Sequence, residues 1–173
     1  MKKTKLTFIS SIPPVAAAVY GIITAKYGMA LNSAFTVVCL WTFYFADKKC
    51  KFFSGKIYIS VLIFILLSVF SGRSLGLYKL VPYWDRTLHF LSGFIIVISG
   101  KILFHKLNGK TEQKCLMKVF SFLTGVSAAG LWEIFEFSCD RLIGTAAQNN
   151  SLTDTMWDII LGTISAAVTV FFV

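Results

Sequence analysis

Six apolar runs govern what this chain can fold into. They fall at about residues 7–25, 29–46, 57–72, 84–104, 116–139 and 154–172. A helix needs about 20 such residues to cross a hydrocarbon core roughly 30 Å thick. Within lipid, every backbone N–H and C=O must find its partner inside the segment, which a helix achieves alone. The reading is an all-α polytopic membrane protein with six transmembrane helices in one bundle, residues 1–173 forming a single domain. Composition agrees: 56% of residues are hydrophobic, above the share of about half found in soluble domains.

The breaks between the runs carry their own signals. Pro13-Pro14 should interrupt the first span with a kink, which membrane helices tolerate. The same pair argues against a cleaved signal peptide, otherwise suggested by a basic start and Ala16-Ala17-Ala18. Trp41, Phe43, Tyr44 and Phe45 suit an interfacial belt. Cys39, Cys50, Cys115 and Cys139 show no close pairing, so they read as reduced residues, neither a disulfide framework nor a zinc site. The net charge of +9 fits basic loops lying against anionic lipid. Nucleic-acid binding would need a basic patch on a water-facing domain, and no stretch is long enough to form one.

Lysine and arginine set the expected orientation. The first residues, the second loop and the fourth loop with its flanks hold Lys2, Lys3, Lys5, Lys48, Lys49, Lys51, Lys56, Lys101, Lys106, Lys110, Lys114 and Lys118. The opposite face has Lys26, Arg73, Lys79, Arg86 and Arg141. That asymmetry places the N- and C-termini in the cytoplasm.

The acids then sort themselves. Asp47 and Glu112 fall in cytoplasmic loops. Asp85, Glu133, Glu136, Asp140, Asp154 and Asp158 all fall at the outer ends of spans four, five and six, together with His89. Asp85 and His89 are four residues apart and share a helix face, as do Asp154 and Asp158. At about 1.5 Å per residue, Glu133 sits roughly 10 Å deeper than Asp140. Charges at such depth are costly and mark function. Simpler roles exist: Asp85 or Asp154 as a helix cap, Glu133 and Glu136 as structural ion pairs with Arg86 or Arg141, Asp140 as an exposed acid, His89 as a hydrogen-bonded core residue. Small residues on the same spans (Gly93, Gly100, Ser121, Gly125, Ala128, Ala129, Gly130, Gly162, Ala166) indicate close helix packing.

Asp85-Arg86-x-x-His89-Phe90-x-x-Gly93-Phe94, Glu133-x-x-Glu136, Gly144-Thr145 and Asp154-Thr155-x-x-Asp158 resemble the bacterial YjdF-like membrane proteins, whose function is not established. They are similar, more distantly, to VanZ-like proteins, which share an Asp-(Lys/Arg)-x-x-His-Phe helix. The resemblance covers the C-terminal half and implies a bacterial cell membrane and a cell-envelope setting. The chain departs from it in the last loop, at Gln148-Asn149-Asn150-Ser151.

Three functions stay open. The first is a divalent-metal site (Mg, Mn or Zn) with ligands from Asp85, His89, Glu133, Glu136, Asp154 and Asp158. It would act as a hydrolase or transferase on a lipid-linked substrate, with Asp85, His89, Glu133 and Glu136 in catalysis and Arg86 and Arg141 holding phosphate. The second is an ion- or proton-coupled transporter. The third is a non-catalytic envelope or resistance factor whose charges form an internal polar lock. Membrane lipid is the expected partner in each.

Overall fold

The computed structural model describes residues 2–109, 113–148 and 151–173, and among them all regular structure is helical. Lys110 and Glu112, assigned above to the fourth loop, lie outside the described residues, as do Asn149 and Asn150. The elements are α1 (Lys3–Ile23), α2 (Tyr27–Cys50), α3 (Gly55–Ile65) with a π-helical continuation Leu66–Ser74, the short α4 (Leu77–Leu80), α5 (Trp84–Asn108), α6 (Lys114–Ile143) and α7 (Leu152–Val170). Each expected span has its helix, one to four residues longer or shorter at most ends.

Five helices, counting Gly55–Ser74 as one, are long and apolar enough to cross a bilayer. The sixth expected span, α7, falls outside that set. Its 19 residues reach about 28 Å at 1.5 Å each, but its first two turns carry Asp154 and Asp158. The large apolar side chains left exposed on the helices, such as Phe8, Ile23 and Leu31, would have lipid to face.

Packing divides the chain into two compact units, Met1–Asp85 and Arg86–Val173. The division falls inside the first turn of α5, so Trp84 and Asp85 are described with the helix they begin.

In the first unit, α1 is helical from Lys3 to Ile23 with Pro13 and Pro14 inside it. Gly21 lets the end of α1 approach the start of α2, since a Cβ there would lie 2.9 Å from the Ala30 nitrogen. Leu40, Tyr58 and Leu62 form the core, joined by Phe43, whose ring stacks on Tyr58 at 4.9 Å. A polar clasp closes one end. Asp47, 3% exposed, takes the Lys3 ammonium at 2.5 Å and the backbone N–H groups of Phe52 at 3.1 Å and Phe53 at 2.8 Å. Lys3 also donates to the Phe53 carbonyl at 2.7 Å. Beside it, the Thr7 and Tyr58 hydroxyls are hydrogen-bonded at 2.6 Å. Asp47 is therefore a buried structural anchor, where the sequence suggested a loop acid.

The second unit is built on small residues. The buried positions of α5 include His89, Gly93, Val97 and Gly100; those of α6 include Ser121, Gly125, Ala129, Glu133 and Glu136; those of α7 are Asp158, Gly162, Ser165, Ala166 and Thr169. Steps of three and four residues keep each set on one helix face. A Cβ on Gly125 would meet Ala166 Cβ at 2.8 Å and Val97 Cγ2 at 2.9 Å. All three helices thus meet at that glycine. Lipid gives helices no hydrophobic reason to associate, so close approach of small faces supplies the packing.

Candidate functional site

Each of the three helices carries its acids at the same end of its small-residue face. On α5, Asp85 and His89 continue the row set by Gly93. On α6, Glu133 and Glu136 continue Ser121, Gly125 and Ala129. On α7, Asp158 lies one turn from Gly162. The helix crossing that brings the glycines together therefore brings the acids together one turn further on.

Helices α5 and α7 pack closely at Gly93. A Cβ on Gly93 would lie 2.7 Å from Ser165 Cβ and 2.9 Å from the Gly162 carbonyl oxygen. One turn above, Asp85, His89 and Asp158 each offer a ligand atom, and the three atoms lie within 4.8 Å of one another. His89 and Asp158 are buried, at 7% and 3% exposure. Asp85 is the second residue of α5, inside the helix instead of capping it. There its charge also meets the positive end of the helix dipole.

Glu133 reaches this group from α6. Its Oε1 lies 3.7 Å from His89 Nε2 and has no hydrogen-bond partner among the described residues. Its Oε2 accepts from Gln148 Nε2 at 3.2 Å. The same Gln148 nitrogen donates to the Glu133 backbone carbonyl at 3.2 Å.

Gln148 is in place because of Asp140. The α6 helix ends at Gly144, which takes the left-handed conformation that frees the chain to turn back. Asp140 Oδ1 then accepts from the Thr145 hydroxyl at 2.5 Å and from Ala147 N at 2.8 Å, and Oδ2 accepts from Gln148 N at 3.0 Å. Asp140 thus gathers the loop and presents Gln148 to Glu133. The sequence left it open between an exposed acid and a member of the face of Glu133 and Glu136. The signal that was available is its place one turn before Gly144, where the helix must end and the N–H groups of the following loop need acceptors.

The remaining candidates divide. Glu136 is buried and accepts from Trp132 Nε1 on its own helix at 2.9 Å. Asp154 lies 3.5 Å from Arg86 Nη2, and the Arg86 guanidinium sits 5.8 Å over the Trp157 ring. Asp154 is not the cap of α7. That role belongs to Ser151, whose hydroxyl accepts from Asp154 N at 3.2 Å. Arg141 stays exposed in the last turn of α6, its guanidinium 5.3 Å over Phe137. His105 is in the last turn of α5. All four cysteines are free thiols.

Chemically, the group offers two carboxylates and an imidazole as donors, with a third carboxylate at their edge. Carboxylate and imidazole oxygen and nitrogen suit Mg, Mn or Zn. Two donors of one ion at about 2.1 Å stand roughly 3–4 Å apart. The span of 4.8 Å would close onto an ion by small side-chain rotations.

A family described as a predicted membrane protein family, DUF2238, matches residues 6–173. An uncharacterized protein of Thermotoga maritima is 30% identical over 96 residues, which are 56% of this chain and 50% of that relative. The chain thus spans about half the length of the curated relative it matches. No solved structure matches.

Proposed function

The chain belongs to the DUF2238 family of predicted membrane proteins, and from that premise we propose that its α5–α6–α7 unit binds a divalent cation and uses it on a lipid or lipid-linked envelope substrate. The observation that carries this is the convergence of Asp85, His89 and Asp158 from two helices. Burying carboxylates in an apolar bundle is expensive unless a positive charge meets them. A cation would meet them here. Glu133 Oε1, buried and 3.7 Å from His89 Nε2, would complete the donor set or take a proton from a bound water.

A bound ion would polarise a phosphoryl or carbonyl oxygen, or lower the pKa of water. The protein's own part is to hold the donors, exclude water through the small-residue packing below, and keep Gln148 on Glu133. Lysine asymmetry supports a location at the outer leaflet, and the VanZ-like pattern of Asp85, Arg86, His89 and Phe90 supports an envelope role in a bacterial cell membrane.

A second reading has its own support. Trp132 on Glu136, Gln148 on Glu133 and Arg86 by Asp154 would let the acids serve as an internal polar lock with no ion. One experiment separates the two. The purified protein is dialysed against Mn, Zn or Mg and its metal content is measured beside that of His89→Gln and Asp158→Asn. The cation reading expects about one ion per chain and at least a tenfold loss of affinity in each variant. No uptake by the wild type, or unchanged uptake by both variants, overturns it and leaves the lock.

A further inference from the structure

The first unit holds a polar feature of its own. Lys2, Lys3, Thr4, Tyr44, Asp47, Lys48 and Lys51 line an open cavity of about 340 Å³. It forms where the first turn of α1 meets the last turn of α2. Asp47 is the one acid in this lining, and it is already engaged. Lys3 and two backbone N–H groups saturate it, and it is 3% exposed. Its charge offsets that of Lys3. Lys2, Lys48 and Lys51 remain, all exposed, so the cavity carries three uncompensated positive charges.

The fold pays attention to where these lysines stand. Lys51 adopts a left-handed backbone conformation, with φ of 48°, at the C-cap of α2. There its N–H bonds the Asp47 carbonyl at 2.6 Å. The clasp that fixes Asp47 therefore also fixes the backbone from which Lys48 and Lys51 project. Hydroxyl groups complete the lining: Thr4 Oγ1 and Tyr44 Oη are hydrogen-bonded to each other at 2.9 Å. Tyr44 belongs to an aromatic group with Trp41 at 5.5 Å and Phe45 at 5.2 Å between ring centroids. Aromatic rings of this kind gather at headgroup depth.

We propose that this cavity is a binding site for an anionic phosphate group, supplied by an acidic phospholipid. Lysine ammonium groups on flexible stems suit a phosphate as point charges, and hydroxyls suit its oxygens. The aromatic neighbours place the site where lipid headgroups lie, which favours a lipid over a free phosphate. Scattered basic loops would attract acidic lipid without preference for position. This cavity would hold it at one place.

The test uses the full chain in nanodiscs of phosphatidylcholine with or without phosphatidylglycerol, read by lipid retention in native mass spectrometry and by thermal unfolding. The variant pair is Lys48→Gln with Lys51→Gln. The control pair is Lys5→Gln with Lys49→Gln, which removes the same charge from exposed lysines outside the lining. Retention of phosphatidylglycerol should fall about tenfold or more in the first pair and change little in the control. A separate arm adds inorganic phosphate to the phosphatidylcholine discs. Stabilisation by phosphate alone, lost in the same pair, would keep the site and name a soluble phosphate as its occupant. Equal loss in both pairs, or no preference for phosphatidylglycerol in the wild type, overturns the proposal.

Discussion

Gly93→Ala is the sharpest perturbation of the proposed cation site, because it adds one carbon at the crossing that sets the site's width. The new Cβ would meet Ser165 Cβ at 2.7 Å and the Gly162 carbonyl oxygen at 2.9 Å. Neither atom belongs to the free end of a flexible side chain. Ordinary contact begins at 3.4 Å, so α5 and α7 must part by roughly 0.7 Å at this level. Overpacking of this kind costs about 1–3 kcal/mol. Gly130→Ala is the matched control. It adds the same atom to a helix interior where a Cβ would touch nothing within 4 Å, and it should be neutral or stabilising by up to about 1 kcal/mol. Thermal unfolding of both variants in one detergent gives the comparison. Metal affinity should weaken in Gly93→Ala, since Asp85 and His89 ride on the displaced helix and Asp158 does not. If Gly93→Ala unfolds where the wild type does, the helix crossing does not govern the site and the argument from small residues fails.

Two further outcomes follow from hydrogen bonds in separate parts of the fold. Gln148→Ala should weaken cation binding about tenfold, as loss of a residue orienting a metal-site carboxylate commonly does; Asp140→Ala should match it, and the double variant should be no worse than either, because both act through one loop. Asp47→Ala in the first unit should cost about 2–4 kcal/mol by stranding Lys3 and two backbone N–H groups, whereas Tyr58→Phe, which removes only the bond to Thr7, should cost about 1 kcal/mol; equal unfolding temperatures for the two would refute the clasp.

Much of this architecture was legible in the chain, for reasons that can be named. Helices announce themselves when about 20 apolar residues follow one another, and the membrane removes the competing strand. Asp85 with His89 was legible because a helix repeats every three to four residues; Asp154 with Asp158, read the same way, divides, since Asp158 joins that group and Asp154 lies 3.5 Å from Arg86. Other features depend on contacts no periodicity encodes. Lys3 meets Asp47 across 44 positions, and Gln148 meets Glu133 across 15 through a turning loop. The division into two units escaped the sequence because all the runs look alike in hydropathy. The capping role went to Ser151 because its hydroxyl reaches the Asp154 N–H, where the sequence had offered Asp154 itself.

The π-helical stretch has a consequence for chain length. Hydrogen bonds there reach five residues back, as from the Leu75 N–H to the Phe70 carbonyl at 3.1 Å, so each turn consumes more chain than in an α-helix. Between Leu66 and Ser74 the backbone therefore holds slack. One residue could be deleted there and the wide turns would tighten to absorb the loss. The same deletion between His89 and Gly93 would swing the imidazole about 100° around its helix, away from Asp158.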